Sequence, residues 1–197
     1  VIRAILKGRI TMFLRILKNF FIFGRRFFVL LIITGMPVAY ADSTNSNPVL
    51  RNEFIRWLVY YHSPDSNRKI CYTVTVPTFS EPEKGVKHGI NFFMIGLKKE
   101  TKDSYVSELV MDYPLDENTM VSIEVIGKNS SGQIFTMHPH NNRATFQKES
   151  DNEILIKEMK LGKEVIVSAK SKRGTNTRYV YSLSGLSDAL ADLPKCQ

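Results

Sequence analysis

The chain has 197 residues, 43% hydrophobic and 23% charged, which fits one ordinary globular domain with a short addition and excludes collagen, coiled coil and wholesale disorder. Its formal net charge of +8 is unevenly placed: seven of the 27 Lys and Arg lie in 1–41, which holds no acid, so 20 basic residues face 19 acidic ones in 42–197. Release of counterions from a phosphate backbone needs a basic face unbalanced by acids, and the bulk of the chain offers none, so nucleic acid is not expected as a partner.

Residues 27–36 read FFVLLIITGM directly behind Arg25 and Arg26, and Ala39-Tyr40-Ala41 follows before Asp42. Charged, apolar and small-residue regions in that order are an export signal, expected over 1–41, with translation starting at Met12 as an option that gives a signal of ordinary size. Ten apolar residues cover only about half of a ~30 Å hydrocarbon core, so cleavage is favoured over an uncleaved anchor. In the anchored alternative the segment is the chain's one route to a membrane, with Arg25 and Arg26 on the cytoplasmic side. No lipobox cysteine follows the apolar run. The domain is expected outside the cytoplasm in either case.

The segment 42–53 is polar, contains Pro48 and reads as a flexible tether, leaving 54–197 as the folded domain. Apolar residues then recur with period two, predicting strands over 57–61 and 70–76, joined by turn residues at 63–67. Further strands are expected at 90–97, apolar on both faces, at 105–111, and at 121–126, which a tight connection at 127–132 joins to 134–137. The last hairpin runs from 165–170 through Lys172-Arg173-Gly174-Thr175-Asn176 into 179–183. Ser150-Asp151-Asn152-Glu153 has capping-box spacing, and with Gly162 at the far end it predicts a helix over 151–161. Leu186, Leu190 and Leu193 mark a second short helix between Ser184 and Pro194. Eight or nine short strands with one or two helices make a mainly β fold, an antiparallel sandwich or barrel in a single domain.

Cys71 and Cys196 are the sole thiols, placed far apart in the exported part, which is how an oxidising compartment uses one staple; the alternative is two unpaired thiols. No C-x-x-C is present for a redox or zinc site. His138-Pro139-His140, with His62 and His88 elsewhere, could contribute to a metal or small-ligand carrier, but Pro139 argues for an exposed loop and no further ligand has matching spacing. No Ser lies in G-x-S-x-G, so a hydrolase is not favoured, and no cofactor is expected. Lys98, Lys99 and Lys102 beside Glu100 and Asp103 read as a solvated tip. Tyr60, Tyr61, Tyr72, Tyr179 and Tyr181 could form an aromatic recognition surface, although on strands they read better as core residues and cross-strand pairs.

The order Trp57-Leu58-Val59-Tyr60, Lys69-Ile70-Cys71-Tyr72, Pro77, Tyr113-Pro114, Asn142-Arg143-Ala144, Met159-x-x-Gly162 and Ser171-Lys172-Arg173-Gly174-Thr175, closing with Tyr181-Ser182-Leu183-Ser184-Gly185-Leu186, resembles the invasion-associated locus B family of exported bacterial proteins over about 54–196. The resemblance implies a β-rich domain of the periplasm or outer envelope, Cys71 and Cys196 as a structural pair, no catalytic residues, and an envelope or host-cell protein as partner, with a role in host-cell entry in some bacteria. The chain departs from the family in lacking further cysteines and in carrying Thr145 after the Arg-Ala step. Read from the residues alone, Gly174 supplies a positive φ to a strand connection, and Ser184-Gly185 starts the helix that delivers Cys196 towards Cys71.

Overall fold

The computed structural model describes residues 47–65, 68–98, 104–127 and 132–196; the segment 1–41, expected to be an export signal, and the expected tip at 99–103 lie outside them. Among the described residues eleven strands form, most of them from period-two apolar patterning: β1 (Val49–Phe54), β2 (Trp57–Asp65), β3 (Arg68–Thr75), β4 (Phe79–Glu81), β5 (Phe92–Leu97), β6 (Tyr105–Val110), β7 (Val121–Ile126), β8 (Ile134–His140), β9 (Arg143–Thr145), β10 (Glu164–Lys170) and β11 (Asn176–Ser182). Helix α1 (Glu149–Leu161) stands between β9 and β10, and α2 (Leu186–Asp192) runs into a 3-10 turn (Leu193–Cys196) after β11. All strand pairs are antiparallel, in the order β1-β2-β3-β5-β6-β9-β8-β7-β10-β11-β4.

The continuous sheet turns at β8, whose residues 134–137 pair with β7 and 138–140 with β9. The two arms then face each other across one core. Phe93 of β5 meets Trp57 of β2 edge-on at 6.3 Å between ring centroids, and Tyr181 of β11 at 5.8 Å. All three rings are fully buried, and Trp57 Nε1–H donates to the Ser182 carbonyl at 3.1 Å, tying the arms together. Helix α1 packs on β6 through Leu155, Ile156 and Met159, while Asn152 Oδ1 accepts from both the backbone N–H and the hydroxyl of Ser107. Cys71 and Cys196 are bonded, with their Cα atoms 6.1 Å apart, so the C-terminal turn is fastened to β3.

Four details differ from the sequence reading. The tether does not reach 53: Val49–Phe54 forms an edge strand on β2, because β2 offers an unpaired side and Asp192 holds Arg51 and Asn52. The total rises to eleven strands because β1, β4 and β9 are polar or three residues long and exist only through their partners. Pro139 does not end the ladder; it lies opposite Ala144 in β8, at the sheet's turn, where a missing N–H is tolerated. The capping box does not form, since α1 starts after Lys148 with no side-chain cap. Gly162 does follow the helix, but in extended conformation. A Cβ there would lie 2.5 Å from Val125 Cγ1, so close approach explains the glycine.

Candidate functional site

The turn between β10 and β11 is closed from within. Ser171 N–H donates to the Thr175 carbonyl (2.9 Å), Gly174 N–H to the Ser171 carbonyl (2.8 Å), and Thr175 N–H to Ser171 Oγ (3.1 Å). Gly174 takes φ +88°, the left-handed region that glycine occupies without steric cost. The same turn is docked on the 112–115 loop: Lys172 N–H donates to the Pro114 carbonyl at 2.8 Å, and Leu115 bridges Ser171. Two segments that sequence alone placed in one pattern, Tyr113-Pro114 and Ser171–Thr175, are thus joined in space.

A third segment, the loop after β4, completes the wall. Asn91, fully buried, accepts Asp112 N–H at Oδ1 (2.9 Å) and donates from Nδ2 to the His88 carbonyl (3.0 Å). His88 Nε2 lies 2.8 Å from the Pro82 carbonyl, which only accepts, so Nε2 carries the proton and Nδ1 accepts from the Tyr179 hydroxyl at 3.0 Å. Thr177 donates to the Ala169 carbonyl and so accepts from the Tyr113 hydroxyl at 2.7 Å. Burial, with Tyr113 nearby, pushes the Tyr179 phenol well above its ordinary range. Burial does the same to Tyr181, helped by the neighbouring Tyr179. The Tyr181 hydroxyl has no hydrogen-bond partner among the described residues.

These segments enclose a cleft of about 610 Å³. Its walls carry Lys87, Lys172 and Arg173, the carboxylate of Asp112, and the hydroxyl-bearing residues Tyr113, Ser171, Thr175 and Thr177. The imidazole behind the cleft, His88, has both ring nitrogens engaged.

Of the residues singled out in the sequence, Lys172, Arg173 and Thr175 line the cleft, with Gly174 in their turn. The rest of that pattern is elsewhere. Tyr181 and Leu183 are core, Ser182 binds Trp57 through its carbonyl, and Gly185 starts α2 at φ +91° with its Cα so close to Phe54 that a Cβ would sit 2.0 Å from that carbonyl oxygen. Cys71 and Cys196 form the disulfide already described. His140 Nδ1 lies 3.7 Å from Glu117 Oε1, and no group of three or more His, Cys, Asp or Glu is placed to hold a metal among the described residues. The tyrosines divide as strands divide them: Tyr179 and Tyr181 inside, Tyr60 and Tyr72 stacked as a cross-strand pair on the outer face at 6.0 Å. Lys87, Asn91 and Asp112 were not singled out. The one signal for them was Asn91, a polar residue at the start of an apolar strand.

No family model and no curated protein matches the chain. Among solved structures, the crystal structure of invasion associated protein B from Bartonella henselae matches with a TM-score of 0.50 and 11% sequence identity, covering 74% of this chain and 96% of that one. The likeness is one of fold. It agrees with the mostly β, single-domain architecture expected from the sequence.

Proposed function

We propose that this chain is an exported protein of the bacterial envelope, periplasmic or on the outer surface, that acts by binding rather than by catalysis. The observation that carries the reading is the pre-assembled cleft: three segments distant in sequence hold it in shape, two by the Lys172 N–H to Pro114 carbonyl bond and the third through the Asn91 side chain, while Lys87, Lys172 and Arg173 line it. A site built to be rigid and polar without an activated nucleophile suits recognition. The Cys71–Cys196 bond supports an oxidising compartment. The fold shared with invasion associated protein B supports an envelope or host-cell partner, and a part in host-cell entry follows as the finer expectation.

The test is fractionation of the cell that makes the protein, with intact mass and free-thiol count on the recovered chain. The expected result is an envelope protein beginning at Asp42 with both cysteines oxidised. A cytoplasmic chain with Cys71 and Cys196 reduced would overturn the reading.

A further inference from the structure

The geometry points to the cleft beside Arg173 as a binding site for a phosphate monoester, a reading that rests on the binding role above and names its ligand chemistry. The charges come first. Lys170 and Arg178, on the strands flanking the turn, are paired with Asp116 at 3.4 Å and Glu81 at 3.6 Å. Lys87, Lys172 and Arg173 have no carboxylate within 4.0 Å among the described residues. Asp112 is the sole acid on the walls, and it is packed over Gly89, where a Cβ would lie 1.7 Å from Oδ2. The cleft therefore holds two positive charges in excess, which matches the charge of about −1.5 to −2 on a phosphate monoester at pH 7 and exceeds that of a carboxylate or sulfate ester.

The donors and the space agree. Ser171 Oγ accepts from Thr175 N–H and keeps its own proton for a ligand, and Thr175 lines the same cleft. Because the turn is already closed and docked on Pro114, binding orders only the tips of the cationic side chains, which keeps the entropic cost low. A volume of about 610 Å³ lies within the range of small-ligand pockets and is larger than a bare ion requires, so the phosphate is carried on an organic group. Such an ester comes either as a soluble metabolite or sugar, or as a membrane headgroup.

The full chain is titrated with glycerol phosphate while the amide resonances of Gly85, Gly174 and Thr175 are followed, and it is mixed with phosphatidylcholine vesicles doped with phosphatidic acid, the same ester on a membrane. Shifts at those three amides, with affinity at least about tenfold weaker in Arg173→Glu and lowered in Lys172→Gln, are expected for a soluble ligand. Lys163→Glu, a matched charge change at the far end of β10, should bind as the parent does. Vesicle binding that Arg173→Glu loses, without response to glycerol phosphate, assigns the membrane headgroup instead. The proposal is overturned if methyl sulfate shifts the same amides as strongly, if vesicle binding is equal in Arg173→Glu with no glycerol phosphate response, or if neither probe binds. Thermal melts separate lost binding from lost folding, and Lys172→Gln is an exposed, neutralising change that leaves the turn's backbone bonds in place. Because location and ligand are read separately, an exported protein that ignores both probes keeps the binding role and loses only the phosphate.

Discussion

Asp192, buried at the end of α2, accepts a 2.9 Å hydrogen bond from Arg51 Nε across 141 positions of sequence, and Asn52 Nδ2 donates to the same Oδ2 at 2.7 Å. These two bonds hold the otherwise exposed strand β1 on the domain, and β1 bulges between Leu50 and Asn52, where Arg51 turns to the carboxylate. Burial raises the Asp192 carboxyl, but the hydrogen bonds and charge of Arg51, with Asn52, outweigh it and leave the group below its ordinary range. A depressed carboxylate stabilises the fold above its unfolded pKa of about 3.9, and that contribution is lost as pH falls through the folded value. Asp192→Asn is expected to cost about 1–3 kcal/mol at neutral pH and to flatten the acid limb of the stability curve. Urea denaturation between neutral and acid pH measures both. An unchanged acid limb would place the acid sensitivity elsewhere.

The Cys71–Cys196 bond closes a loop with a sequence separation of 125. Chain entropy sets its contribution at roughly 4–5 kcal/mol as an upper figure, and strain or residual unfolded structure lowers it. Cys196→Ser is expected to lose about 2–5 kcal/mol and to lower the melting temperature by roughly 5–15 °C. The loss should begin where the bond sits, with faster amide exchange in α2 and the 3-10 turn than in β5.

Tyr181 carries a buried hydroxyl without a hydrogen-bond partner among the described residues. Removing such a group relieves a desolvation cost, so Tyr181→Phe should be neutral or stabilising by up to about 1–2 kcal/mol, whereas most core changes destabilise. A loss of more than that range would mean the hydroxyl has a partner.

Alkali tests the same cluster. The phenols of Tyr179 and Tyr181 are both raised by burial, so the neutral form is favoured in the fold. Their stabilisation is whole below about pH 10, the unfolded value, and declines as pH climbs towards the folded values. An absorbance titration should show these two ionising only as the chain unfolds.

Gly162 takes an ordinary φ of −83°, so Gly162→Ala is not opposed by backbone conformation. Its Cβ would press on Val125 Cγ1 and Leu183 Cδ1, at 2.5 and 3.0 Å, both on buried residues. Overpacking of this kind costs about 1–3 kcal/mol, and equilibrium denaturation should find it. The change at Gly174, where nothing lies within 4 Å, is opposed by φ alone and should cost about 1 kcal/mol.

The hairpins β2–β3, β7–β8 and β10–β11 and the helix α1 were legible in the residues because each is settled by neighbours close in sequence: alternation, a turn and an apolar stripe. β4 and β9, three residues each, carry no pattern long enough to read, and they form because β11, β6 and β8 present unpaired backbone beside them. Likewise, Tyr113-Pro114 and Ser171–Thr175 could be picked out as a pattern, but nothing in their spacing says that Lys172 donates to Pro114, or that Lys87 and Asp112 stand opposite. The amino-acid sequence by itself determined the mainly β class, most of the strands and the two helices, since period and turn chemistry act within a few residues. The pairing of Cys71 with Cys196 was legible too, since the chain has two thiols; only the tertiary structure decided the edge strands and the composition of the cleft, because each depends on groups that the folded sheet brings together from far along the chain.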